Sequence, residues 1–92
     1  MAEFYHIYVF PKNGITKDQI EKKMNLAVDW IRYGSNNYIV YTTSDKDKWK
    51  ARLIDFVKPE GSLLICKLDV NDRQGWMSRK FWEWLKAKPT TD

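Results

Sequence analysis

An α+β sandwich is the fold class predicted for this chain, on three observations. Two runs, Glu3–Phe10 and Ser62–Leu68, are dominated by apolar, β-prone residues. Other segments repeat apolar residues at helical spacing behind cap residues. Gly34-Ser-Asn-Asn37 is a turn signal that splits Val28–Thr43 into two alternating halves.

Glu3–Phe10 carries Phe4, His6, Tyr8 and Phe10 on one side and Tyr5, Ile7 and Val9 on the other. Neither side is polar, which predicts a central strand covered on both faces. Pro11-Lys-Asn-Gly14 stops it. Thr16 opens a helix, with Gln19 three residues later as a capping box requires. Ile20, Met24 and Ala27 share its inner side, and Lys17, Glu21 and Lys22 face solvent. Val28–Thr43 either extends this helix to Tyr33 or forms a hairpin pairing Val28–Tyr33 with Tyr38–Thr43, and the turn favours the hairpin.

Ser44 is expected to cap a second helix running to about Val57, with Asp45 and Asp47 at its positive end. Trp49, Leu53 and Phe56 form the buried stripe, and Lys46, Lys48, Lys50 and Arg52 lie mostly outside. Pro59-Glu-Gly61 breaks it. Ser62–Leu68 reads as a second fully buried strand, and Asp69–Gly75 as a polar loop. The last helix is expected over Gln74–Lys86, with Met77, Phe81, Trp84 and Leu85 inward and Trp76 and Trp82 on its flanks. The tail 89–92 should fray.

The order is βαββαβ plus a C-terminal helix: a ferredoxin-like sandwich in a single domain spanning residues 1–92. Two helices cover one sheet face. The other face carries Tyr8, Phe10 and Tyr41 and needs a cover of its own. A partner's sheet, the C-terminal helix and a stacked nucleic acid are the alternatives.

The chain is rich in groups that pack and poor in groups that react: five Trp, five Tyr and four Phe against one His and one Cys. His6 has no Ser, Cys or carboxylate beside it on its face of the strand, so it reads as structural. Asp69, Asn71 and Asp72 fit a turn better than a calcium loop. Cys66 is alone, which excludes an intramolecular disulfide, and its apolar setting predicts a buried thiol. A net charge of +4 and a pI near 9.2 permit nucleic-acid contact without requiring it. No apolar run approaches the roughly 20 residues of a membrane span, and no signal peptide precedes the first strand, so a cytoplasmic protein without a membrane partner is expected.

Tyr5-His-Ile-Tyr-Val9, Trp30, Asn37-Tyr-Ile-Val-Tyr-Thr42, Leu53, Leu63-Leu-Ile-Cys-Lys-Leu68 and Trp84-Leu-Lys86 resemble, in pattern and spacing, a family of small CRISPR-associated proteins. These are the ferredoxin-like nucleases of spacer acquisition and, more closely, their stand-alone SinR-family, Cas-two-like relatives. The resemblance implies a homodimer that brings two sheets together, and a metal-dependent nuclease with an Asp from each subunit at the end of the first strand. Tyr8-Val-Phe-Pro11 stands there instead and offers no carboxylate to a hard cation.

The resulting expectation is a non-enzymatic, dimeric interaction module without a cofactor, acting in or against a prokaryotic defence system. Tyr8, Phe10, Tyr41, Trp76, Arg79 and Trp82 are its candidate partner or dimer interface. Lys46, Lys48, Lys50 and Arg52 are its candidate nucleic-acid contacts. The alternatives are a small endonuclease using Asp29 and Asp69, or a single-strand binder that stacks bases on the sheet without the usual signature motif.

Overall fold

The computed structural model describes residues 1–88. It contains β1 (Glu3–Phe10), α1 (Lys17–Met24), β2 (Asp29–Tyr33), β3 (Asn37–Thr42), α2 (Lys46–Val57), β4 (Ser62–Leu68) and α3 (Arg79–Lys86). The strands form one antiparallel sheet in the order β2-β3-β1-β4. This is an α+β architecture. The tail expected to fray lies outside the described residues. No described helix is long and apolar enough to cross a membrane.

The first sheet face is closed by α1 and α2. Tyr5, Ile7 and Val9 of β1 and Tyr38 and Val40 of β3 pack against Ile20, Met24, Trp49, Leu53 and Val57. The capping box forms at the start of α1: Thr16 N–H donates to Gln19 Oε1 and Gln19 N–H to Thr16 Oγ1. At α2 the cap is Asp45 rather than Ser44, because the Asp45 carboxylate reaches Lys48 N–H at 2.9 Å while Ser44 N–H turns back to Thr42 Oγ1. The buried stripe is Trp49, Leu53 and Val57, at i, i+4 and i+8, with Phe56 half-buried beside it. Trp49 is wholly buried, and its indole N–H donates to Thr42 Oγ1 at 3.2 Å. Glu21 fastens α1 to the sheet by accepting from Tyr38 Oη–H and Arg32 Nε–H.

The stretch left open between helix and hairpin is a hairpin. β2 and β3 pair from Asp29↔Tyr41 to Tyr33↔Asn37, around a turn where Gly34 takes φ 65°. Gly61, just before β4, has a different need. A Cβ there would collide with Phe10 O, so only glycine lets the entry to β4 approach the end of β1.

The second sheet face is covered by α3. Phe81 and Leu85 pack with Phe4, Ile39, Tyr41 and Val70. Phe81 meets Tyr33 edge-on at 6.0 Å, and Trp84 meets Phe4 at the same separation. Asp29 holds the far end of the helix: its Oδ2 accepts from Trp84 Nε1 and Lys88 Nζ, both at 2.9 Å. α3 begins at Arg79, five residues later than expected, because Ser78 Oγ accepts from Phe81 N–H and caps the helix there.

Candidate interaction surface

α3 is too short to close the whole second face. Eight helical residues span about 12 Å, whereas the eight residues of β1 run about 27 Å. The helix lies over β2, β3 and the start of β1. One corner stays open: Tyr8 is half-buried, Phe10 is 51% exposed, Leu64 is 55% exposed and Cys66 is exposed. Tyr8 faces Leu64, and Phe10 faces Ser62 across the β1–β4 ladder, so these residues are contiguous.

Two expectations are corrected by this arrangement. Ser62–Leu68 is not a fully buried strand but a sheet edge, half-buried on the side of Leu63 and Ile65 and exposed at Leu64 and Cys66. Cys66 is consequently an exposed thiol, not a core one. Both errors have the same cause: an apolar run tells of burial only if a neighbour covers it, and nothing in the run says which strand lies outermost.

The six predicted interface residues separate. Tyr8 and Phe10 belong to the open corner. Tyr41 is withdrawn from the surface, because it is buried 4.9 Å from the Phe4 ring under α3. Trp76 sits in the loop between β4 and α3, not on a helix, and is 97% exposed. Trp82 is half-buried, edge-on to Phe81 at 5.4 Å, with the Arg73 guanidinium 5.8 Å from its ring. Arg79 is exposed near it on the same wall of a groove. A cleft of about 290 Å³ opens between this loop and the sheet, with Tyr33, Val70, Trp76, Phe81 and Trp82 in its walls.

The basic row on α2 also divides. Lys46, Lys48 and Lys50 are exposed. Arg52 folds back, with its guanidinium 4.6 Å over the Trp49 ring and Nη1 buried without a partner among the described residues. Lys46 and Lys50 border a second groove, about 240 Å³, floored by Ile54, Leu63 and Ile65 beside the β4 edge. That apolar floor was not legible as a surface feature, since Leu63 and Ile65 read as core.

Asp29, Asp69 and Tyr38 are engaged structurally. Burial works to raise the Asp29 pKa, but bonds from Lys88, Trp30 N–H and Trp84 outweigh it and leave the carboxyl lower than usual. Asp69 Oδ1 accepts from Asn71 N–H, as its turn role anticipates. Burial, then the charge and bond of Glu21, drive the Tyr38 phenol far up, so it holds its proton. Burial pushes His6 down, and a bond with Asn37 pulls it partly back. His6 stands opposite Cys66 in the ladder, a juxtaposition only the register reveals, yet its ring packs 5.8 Å from Tyr33 and its Nε2 has no partner among the described residues. Among the described residues, no three His, Cys, Asp or Glu side chains cluster closely enough to hold a metal ion.

No family model, curated protein or solved structure matches this chain.

Proposed function

We propose that this protein is a non-enzymatic, homodimeric interaction module on a ferredoxin-like scaffold. The strand order supports the scaffold. Each of α1 and α2 joins two strands that run parallel with one antiparallel strand between them, β3 in one case and β1 in the other. Two interleaved units of this kind make the ferredoxin-like pattern. The observation that carries the function is the open corner: Phe10 and Leu64 are half exposed on a face that α3 covers only in part. Exposed apolar side chains that adjoin one another on a small domain mark a contact surface. At the end of β1, where the resembling nucleases place their Asp, stands Phe10, itself part of that corner. A place in or against a prokaryotic defence system is the part of this reading that rests on the resemblance alone.

Light scattering at tens of micromolar, combined with cleavage assays on single- and double-stranded RNA and DNA in Mg²⁺, Mn²⁺ and EDTA, tests it. The expected result is twice the 11.0 kDa chain mass and no cation-dependent cleavage. A monomer, or cleavage abolished by Asp69→Ala or Asp29→Ala, would overturn it.

A further inference from the structure

Among the described residues, the sheet has two edges, β2 and β4. β2 is five residues long, and its Asp29 and Arg32 are tied to α3 and α1. β4 is longer, at seven residues, and Leu63, Leu64, Ile65, Cys66 and Leu68 are apolar. It contains no proline, and its one charge, Lys67, is matched by Glu3 at 2.8 Å. Edges that stay unpaired are usually shortened, bulged, charged or covered. β4 has only Lys67 for this purpose, and Glu3 offsets it.

The outward backbone groups follow from the alternation of strands. Val9 N–H donates to Asn36 O at 3.0 Å, on the β3 side of β1. Neighbouring residues point the opposite way, so Phe4, His6, Tyr8 and Phe10 bond toward β4. Their partners Leu68, Cys66, Leu64 and Ser62 bond back to β1. Leu63, Ile65 and Lys67 therefore turn their N–H and C=O groups away from the sheet.

We infer that two copies of this chain join through those groups, β4 antiparallel to β4, with the two-fold axis at Ile65; this rests on the dimeric reading above. Ile65 then faces its own copy, Leu63 faces the partner's Lys67, and Leu64 faces the partner's Cys66. Three facing pairs exchange two bonds each, about six backbone hydrogen bonds in all. An axis at Leu64 would set Lys67 against Gly61, whose N–H already donates to Val57 O at 2.6 Å. An axis at Cys66 would set Leu63 against Asp69, beyond the strand. Only the Ile65 axis engages every outward group of β4. A second copy fits better than an unrelated strand because both apolar patches flank this edge. The Tyr8–Phe10–Leu64 corner lies on one face, and the Ile54–Leu63–Ile65 groove lies on the other. Under a two-fold axis at Ile65, the groove meets its own copy at Ile65, and Leu64 of the corner packs against the partner's Cys66.

Disulfide trapping reads the register directly. Leu64→Cys sets a thiol opposite the partner's Cys66 in a pair whose Cα atoms lie about 4.5 Å apart, within disulfide reach. Mild oxidation of this variant should move most of the chain to a reducible species of twice 11.0 kDa, with a 64–66 link found by peptide mapping. Wild type, and Leu64→Cys combined with Cys66→Ser, should stay monomeric on a denaturing gel, since their thiols sit on a diagonal of about 7–8 Å. Both positions are exposed, so these variants should fold. If light scattering gives a dimer but no 64–66 link forms, the seam lies elsewhere and this inference fails while the dimeric reading stands. Rapid Cys66–Cys66 linkage in wild type also overturns it, by moving the axis. A monomer in solution sinks both.

Discussion

Replacing Asp29 by Ala removes the carboxylate that holds α3 on the sheet, and its cost can be worked from the contacts. Oδ2 takes the Trp84 indole N–H and the Lys88 ammonium, each at 2.9 Å, and Oδ1 takes Trp30 N–H at 2.8 Å. A hydrogen bond to a charged group contributes about 1.5–3 kcal/mol when well buried. The Asp29 side chain is 44% exposed, so water screens the Lys88 pair toward the surface value of about 0–1 kcal/mol. Trp30 N–H can turn to solvent at little cost. The Trp84 bond is then the main term, and the loss should be about 2 kcal/mol. At roughly 4–8 °C per kcal/mol for a domain of this size, the thermal midpoint falls by about 10 °C. Amide exchange should quicken in α3 (Arg79–Lys86) while α2 keeps its protection relative to the global value. The sign with pH is fixed by the lowered carboxyl. The charge-dependent part of its contribution is complete above the ordinary value of 3.8 and is lost as pH falls through the folded value, so the gap between wild type and variant should narrow in acid. Urea titration giving less than about 0.5 kcal/mol, the scale of a neutral surface change, would refute this anchoring role.

Two further substitutions probe the other layers. Trp49→Ala should destabilise by about 3–5 kcal/mol in urea titration, since the ring is wholly buried and Thr42 Oγ1 keeps only the Ser44 N–H of its two donors; a value under 1 kcal/mol would mean the first-face core collapses without loss. Gly61→Ala should lower the thermal midpoint by several degrees or more, because the new methyl meets Phe10 O and Val57 O, both backbone atoms that cannot swing aside; an unchanged midpoint would mean that the end of β1 shifts freely.

What the sequence disclosed was local in origin. The Thr16–Gln19 box, the Gly34 turn and the Trp49–Leu53 spacing each involve residues a few positions apart, and each appears as expected. What it withheld depends on pairing between distant segments. Nothing within Leu63–Leu68 tells that β1 covers one side of the strand and solvent the other. Nothing within Asn37–Thr42 tells that Tyr41 lies beneath a helix nearly forty residues later. The last helix misled differently: Met77 continues the apolar spacing of Phe81 and Leu85, but Ser78 caps the backbone first. Of the proposed site, Phe10 was legible because it ends an apolar strand at a proline, whereas Leu64 and Cys66 became surface residues only through the sheet order.

The contrast between Trp49, wholly buried, and Trp76, 97% exposed, gives the molecule its own pair of spectroscopic reporters. Indole emission shifts to the red in water and is quenched by collision with dissolved iodide, which cannot enter a packed core. Trp76 should therefore supply the reddest, most iodide-sensitive part of the emission and Trp49 the most protected part, with the half-buried Trp30, Trp82 and Trp84 between them. The difference between wild type and Trp76→Phe isolates the Trp76 part. The red component then follows events at the loop before α3, and the blue component follows unfolding of the core, without any label attached to the chain.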